Sequence, residues 1–149
     1  MTTDGNQGVV SRYLEELLNQ GNLAVADELL TPDFTIDHAG VPEVLRGPAA
    51  FGAFVAAFRS AFPDVHGTVE DVVAAGDKVA VRLTWRGTHR GEFQGIAPTG
   101  KPFTVRGSAI YHLTGDRIAA AWAEFDTLGL LQQLGVVPTP GQPTASAAR

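Results

Sequence analysis

A carboxylate near the C-terminus stands where acid/base chemistry would need one. Asp126 ends an alternating segment that begins at Ile118 and carries Trp122. Because an unpaired buried charge is costly, such a group is neutralised, hydrogen-bonded or used in chemistry. Two interpretations stay open. Asp126 is the general acid or base of a deep apolar pocket, or it is the N-cap of the helical turn at residues 128–134.

A histidine is the second candidate for proton transfer. Alternation along the strand at residues 78–89 puts Trp85 and His89 on its mainly apolar face, which we expect to face inward. We therefore predict His89 near one end of a cavity, as the partner of Asp126; the alternative is an ordinary strand-end residue. Trp122 and Asp126 also share a parity and can point the same way, unless a bulge intervenes.

Three further side chains are candidates for binding a ligand. Tyr13 lies on the apolar face of the first predicted helix, His38 ends a short strand, and His112 lies on a strand where its facing is ambiguous. Each has a structural alternative, namely a core position or a surface pair. Trp85 and Trp122 suit packing, although aromatic walls also suit a flat polycyclic ligand.

Composition excludes several classes of site. The chain of 149 residues has no cysteine, and its four histidines lack paired helical spacing, so we expect no metal site. A net charge of −5 argues against a nucleic-acid partner, which needs clustered Lys and Arg. No apolar run approaches a membrane span and the polar start has no secretory core, so we expect a cytoplasmic protein.

The elements that must position these residues change type along the chain. Apolar residues at helical spacing predict helices at about residues 9–18, 23–30 and 48–62, with a short strand at 34–38. Period-two alternation then predicts long strands, at about 65–74, 78–89, 103–113 and 117–125. This order predicts an α+β fold in which N-terminal helices cover a curved antiparallel sheet and enclose a tapering space. We place the domain at 8–136, between a disordered N-terminus at 1–7 and a disordered tail at 137–149.

The same residues resemble a known family. The segment Gly-Thr-His-Arg-Gly-Glu-Phe-Gln-Gly-Ile-Ala-Pro-Thr-Gly-Lys at residues 87–101 looks like the signature hairpin of the SnoaL-like polyketide cyclases. Further matching motifs follow the family's order, at residues 19–23, 61–64, 76–80, 122–126 and 133–135. The resemblance implies a cone-shaped domain of the nuclear-transport-factor-like type, usually a homodimer, with a deep hydrophobic pocket.

The resemblance also implies a reaction. In cyclase members, an aspartate at the position of Asp126 removes a proton from a polyketide ester, and the enolate closes a ring by an intramolecular aldol step without metal or cofactor. Many members carry a histidine where this chain has Ala121, so His89 or His112 would have to substitute.

Other functions remain open on the same pocket, because a fold does not fix a reaction. They are a hydrolase or isomerase that opens an epoxide, a pericyclic cyclase that works by shape, and a non-catalytic binding protein. The apolar, aromatic-rich helices favour a small hydrophobic or polycyclic substrate.

Overall fold

The computed structural model describes residues 2–141 and shows helices packed against one curved sheet. The N-terminal helix α1 continues into a π-helical segment, and a 3-10 turn precedes the short α2. The elements in chain order are α1 (Thr3–Arg12), the π-helical segment (Tyr13–Asn19), the 3-10 turn (Leu23–Val25), α2 (Ala26–Leu29), β1 (Leu30–His38), β2 (Leu45–Arg46), α3 (Pro48–Ala61), β3 (His66–Ala75), β4 (Lys78–Thr88), β5 (Pro102–Thr114), β6 (Arg117–Phe125) and α4 (Thr127–Gln133).

The six strands form a single sheet in the order β2-β1-β6-β5-β4-β3. Every neighbouring pair is antiparallel except β1 and β6, which are parallel. The sheet is not closed, since β2 and β3 are its edges, and helices α1 and α3 pack across it instead. The predicted α+β architecture with a curved sheet under N-terminal helices is confirmed.

Local sequence explains where the main elements begin and turn. Pro48 occupies the first turn of α3, where its missing N–H is tolerated, and the helix buries Phe51 and Val55 against the sheet. Gly76 and Gly115 adopt positive φ angles of 59° and 62° in the two tight turns that join β3 to β4 and β5 to β6. These turns fix the register that sends alternate side chains inward.

The interior divides into two hydrophobic clusters. The larger one lies between the N-terminal helices, α3 and the sheet, and includes Leu17, Phe34 and Val79. The smaller one lies beneath α4 and fills the other end of the sheet with Ala61, Phe62, Val65, Phe103, Val105, Leu130 and Leu134. Because this second cluster fills the end of the sheet beneath α4, the space for a ligand lies toward the other end.

The N-terminus differs from its prediction. Helix α1 begins at Thr3, within the segment predicted to be disordered, because the Thr2 hydroxyl caps it by accepting from the Gly5 amide at 3.0 Å. The side chain of Asn6, 2% exposed, also donates to the Gly76 carbonyl at 3.1 Å and so joins the helix to a hairpin. Residues 137–141 contain no helix or strand, and the rest of the predicted tail lies outside the described residues.

The outer face of the sheet carries an exposed apolar row. Val73, Ala80, Ile110 and Trp122 are successive partners across β3, β4, β5 and β6. Three of them are large and exposed, at 67%, 46% and 48% for Val73, Ile110 and Trp122. A continuous apolar row of this kind is typical of a surface that a partner covers.

None of the described helices is long and apolar enough to cross a membrane.

Candidate active site

A cavity opens between α3, the N-terminal helices and the inner face of the sheet. Its empty volume is about 690 Å³, which includes space continuous with solvent. Most of the lining is aliphatic or aromatic. The lining residues are Tyr13, Leu18, Ile36, His38, Phe51, Phe54, Val55, Phe58, Arg59, Val65, Leu83, Trp85, Ser108, Ala109, Tyr111, Ala123, Glu124 and Phe125. Three predicted binding residues, Tyr13, His38 and Trp85, therefore meet in one cavity.

His38 is the imidazole of this cavity. Its ring packs between Phe54 and Phe125, at centroid distances of 5.3 Å and 6.2 Å. Its Nδ1 accepts a hydrogen bond from the Gly40 amide at 3.0 Å, so the neutral ring carries its proton on Nε2. Burial lowers the pKa of His38, and the nearby Glu124 carboxylate opposes that shift. The ring is thus held neutral at neutral pH, with an N–H that has no protein partner among residues 2–141.

Arg59 brings a positive charge to the cavity wall, but its guanidinium is hydrogen-bonded to backbone carbonyls. Its guanidinium donates to the carbonyls of Leu18 and Asn19, at 2.9 Å and 2.7 Å. These carbonyls end the first helical stretch, where a cation is favoured by the helix dipole. The charge therefore holds the helix end in place, and the cavity keeps its largely apolar character.

Asp126 does not lie in the cavity, where its interpretation as the general acid or base of an apolar pocket would place it. It is the N-cap of α4, and its Oδ1 accepts from the Gly129 amide at 2.8 Å. The residue is exposed and is not part of the cavity lining, so the N-cap interpretation is confirmed. A smaller adjoining pocket is nevertheless lined by its two chain neighbours, Phe125 and Thr127. Asp126 itself lines neither pocket, and its Oδ2 has no hydrogen-bond partner within residues 2–141.

His89 faces inward, as predicted, but it does not reach the cavity. It is fully buried, and its ring packs on Phe62 at 5.4 Å, which in turn packs on Phe103 at 5.0 Å. This end of the sheet is filled by the second cluster, so the expected place beside Asp126 in a shared cavity is wrong. The His89 Nδ1 instead contacts the Thr99 hydroxyl and amide, at 3.1 Å and 3.2 Å, and so ties down the following loop.

Trp122 and His112 point to the outer face, which corrects their prediction as pocket residues. The register shifts where Leu113 pairs with Ile118 and His112 pairs with Ala120, leaving one extra residue in β6. This bulge reverses the alternation, so Trp122 becomes 48% exposed. His112 lies on the same outer face, where its Nε2 contacts the Asp77 carboxylate at 2.8 Å.

Tyr111 and Phe125 are among the residues of the site that the sequence interpretation missed. Tyr111 is buried on β5 and lines the cavity beside Tyr13, and Phe125 lines both the cavity and the smaller pocket. The signal for Tyr111 was present, because every second residue from Phe103 to Leu113 is buried. The signal for Phe125 was hidden by the bulge. Within residues 2–141, no group of three or more His, Asp or Glu side chains could hold a metal ion.

The fold is of the class in which helices cover a curved sheet, with a mostly apolar cavity between them. A family model described as SnoaL-like polyketide cyclase matches residues 8–134. The chain belongs to the SnoaL-like polyketide cyclase family.

Solved structures support this assignment. TsrD from Streptomyces laurentii is 30% identical, with a TM-score of 0.81 over 92% of this chain and 99% of that one. IdmH from Streptomyces antibioticus, named as a candidate polyketide cyclase, is 32% identical, with a TM-score of 0.77 over 88% and 99%. A candidate SnoaL-like cyclase from Jannaschia sp. CCS1 is 25% identical, with a TM-score of 0.84 over 91% and 95%. No curated protein matches the chain.

Proposed function

We propose that this protein is a cofactor-independent cyclase that closes a ring in a polyketide-type intermediate. The observation that carries the proposal is the cavity, which is mostly apolar and lined largely by aromatic and aliphatic side chains in a chain of this family. An apolar enclosure folds a long substrate so that two of its carbons approach each other. Because both carbons already belong to one molecule, the enclosure contributes by holding them in reacting geometry, and it does not gain the full entropy saving of a bimolecular step.

The proton transfers of an aldol closure need no external reactant. A base removes the proton from an acidic C–H, and its electron pair becomes an enolate. The enolate carbon then bonds to a carbonyl carbon, and the carbonyl oxygen takes up the proton. We propose Asp126 as the base, acting on a part of the substrate that extends out of the cavity past its chain neighbours Phe125 and Thr127, which line the smaller pocket.

His38 suits a different step in the same reaction. Its Nε2–H can donate to a substrate oxygen while Nδ1 remains bonded to Gly40. A neutral donor fixed in a dry wall stabilises negative charge as it develops on that oxygen. The two side chains therefore divide the work, with Asp126 accepting the proton and His38 stabilising the enolate.

A second candidate is a pericyclic cyclase, and one observation favours it. Asp126 is exposed and bonded to Gly129, which leaves the cavity itself with shape and apolar walls as its main resources. A reaction in which no proton leaves carbon would need only these resources.

The test follows the mass and label of the product. The protein is incubated with synthetic tricyclic keto-esters in water enriched in heavy oxygen. Ring closure gives an isomer of unchanged mass, or one that has lost water after dehydration. Hydrolysis of the ester puts one labelled oxygen into the released acid, and a binding protein returns the substrate unchanged; either result across the panel would contradict the cyclase proposal.

Two variants on the same strand localise the reaction. Ala123 lines the cavity, whereas Ala120 pairs with His112 on the outer face. Ala123→Phe should fill the cavity and abolish turnover, whereas Ala120→Phe should leave turnover unchanged. Equal effects of both variants would show that the cavity is not the reaction site.

A further inference from the structure

The long connection between β4 and β5 contains a small hairpin at residues 92–98. Phe93 and Ile96 form an antiparallel bridge in it, with backbone hydrogen bonds of 3.0 Å and 2.8 Å between them. Gln94 and Gly95 make the turn, and both have positive φ angles, 49° and 81°. Two successive residues of this kind are typical of the primed turns that join two short strands tightly. The hairpin is therefore held together by its own backbone.

Hydrogen bonds fix the connection on both sides of this hairpin. On one side, the Gly91 amide donates to the Ala61 carbonyl at the end of α3, at 3.1 Å. On the other side, the fully buried His89 accepts twice. Its Nδ1 accepts from the Thr99 amide at 3.2 Å, and its carbonyl accepts from the Gly100 amide at 2.8 Å. The two ends of the hairpin are thus attached to buried or helical parts of the fold.

Between these fixed ends, one aromatic ring holds the hairpin against the fold. No hydrogen bond joins residues 92–98 to any other residue within 2–141. The Phe93 ring packs on Phe58 and Phe62, at centroid distances of 5.8 Å and 5.1 Å. Apart from Phe93 and Ile96, which are half-buried, every residue of the hairpin is exposed. A segment with so few attachments opens at a lower free energy than the core around it.

The hairpin forms one wall of the smaller pocket. Phe93 and Gln94 line that pocket and do not line the cavity. The two spaces adjoin, because four side chains line both of them, namely His38, Phe54, Phe58 and Phe125. When the hairpin moves away from Phe58, the smaller pocket loses this outer wall, and the cavity gains a route to solvent through it.

We propose that residues 92–98 are a lid, which opens as one hairpin between its fixed ends and which the Phe93 ring holds shut. The open lid admits or releases a ligand through the smaller pocket. The closed lid keeps water away from the aromatic wall that the two spaces share, as lids over apolar sites do. The inference does not rest on the cyclase proposal, since a protein that only binds a ligand in this cavity would use the same route.

A reversible cross-link tests the lid directly, because the chain has no cysteine of its own. Gln94 lies on the hairpin and Thr127 on α4, and both line the smaller pocket. In a Gln94→Cys/Thr127→Cys variant, a bifunctional maleimide whose spacer contains a disulfide ties the hairpin to the helix. Reduction of the spacer then frees the hairpin and leaves both adducts in place, so the reduced protein is the matched control.

Stopped-flow fluorescence of Nile red, an apolar dye, gives the rates of entry and release. Ala123 lines the cavity, so signal that persists in Ala123→Phe comes from dye on the surface and is subtracted. We expect the cross-link to abolish most of the fast entry and release, and reduction to restore both.

Single variants of the hairpin test the role of the ring. Phe93→Ala should speed entry and release about 5- to 10-fold and change the affinity less, because the closed state loses a half-buried ring. Ile96→Ala is the matched control, since Ile96 belongs to the same hairpin and lines neither pocket. Its rates should stay near those of the wild type.

Two outcomes would overturn the lid. One is equal dye rates in the cross-linked and the reduced protein, and the other is equal effects of Phe93→Ala and Ile96→Ala. If Phe93→Ala does not fold, the cross-link decides alone. None of these measurements involves turnover, so loss of the lid would leave the cyclase proposal standing. Conversely, failure of every keto-ester to cyclise would leave a confirmed lid intact.

Discussion

Replacing Asp126 separates its structural role as a helix cap from its proposed role as a base. The cap bond runs from the Gly129 amide to Oδ1 at 2.8 Å, and the helix it begins buries Leu130 and Leu134 in the second cluster. Removing a cap of this type costs about 1 kcal/mol. For a domain of this size, that lowers the melting temperature by about 2–4 °C. Asp126→Ala should therefore be measurably less stable.

Asn and Ser also cap helices well, so Asp126→Asn and Asp126→Ser should stay within about 0.5 kcal/mol of the wild type in urea unfolding. Neither side chain can take a proton from carbon. If Asp126 is the base, both variants should lose about 10²- to 10⁴-fold in kcat on a keto-ester that cyclises, with little change in stability.

The reverse control perturbs the cap and keeps the carboxylate. A Cβ added at Gly129 would collide with Oδ2 of Asp126, so Gly129→Ala should push the carboxylate off the helix end. We expect this variant to retain most of its turnover. Wild-type kcat in Asp126→Asn and Asp126→Ser would refute the acid/base role and favour the pericyclic alternative.

Three further outcomes follow from the same structure. Burial lowers the pKa of His38, so the unfolded chain takes up a proton near pH 6.5 that the folded chain takes up only at lower pH, and the free energy of unfolding falls from pH 7 toward pH 5. Between these two pH values the urea midpoint should therefore fall less in His38→Gln than in the wild type. An equal fall in the two proteins would contradict this. Burial raises the pKa of Tyr13 and Tyr111, so above about pH 10 these tyrosines lose their protons in the unfolded chain before they do in the folded chain, and the free energy of unfolding falls there. The ultraviolet absorbance of the two tyrosines should show no phenolate until the protein unfolds. Phenolate formed before unfolding would refute the burial. We also propose that a second copy of the chain covers the exposed apolar row that contains Ile110 and Trp122. Light scattering should give the mass of a dimer for the wild type and of a folded monomer for Trp122→Arg. A monomeric wild type would exclude this dimer.

Much of the fold could be predicted because its periodicities are strong. The inward face of β4 was predicted from alternation alone, and Val79, Val81 and Leu83 are buried as expected. The start of α1 could not be predicted in this way. It combines the Thr2 cap with the contact of Asn6 with the Gly76 carbonyl, and that second contact joins residues 70 positions apart and leaves no local pattern.

The site was less predictable than the fold. Whether a residue lines the cavity depends on the space that neighbouring side chains leave, and not only on the face of the sheet to which its own side chain points. His89 faces inward as expected, yet Phe62 and Phe103 fill the space beside it. Alternation gives the direction of a side chain, but the volume left over depends on neighbours from other elements. His38 entered the site through the distant aromatic residues of α3, which no spacing along its own strand could show.

The bulge in β6 explains why the cavity is empty enough to hold a ligand. Had the alternation continued from Ile118 without interruption, Trp122 would face inward. With one extra residue, the inward positions go to Ala121 and Ala123, which pair with Tyr111 and Ala109. These small side chains leave space at the centre of the sheet, and the tryptophan moves to the outer row. One inserted residue thus creates the binding volume and the exposed surface together, so a variant that restores regular pairing should lose both.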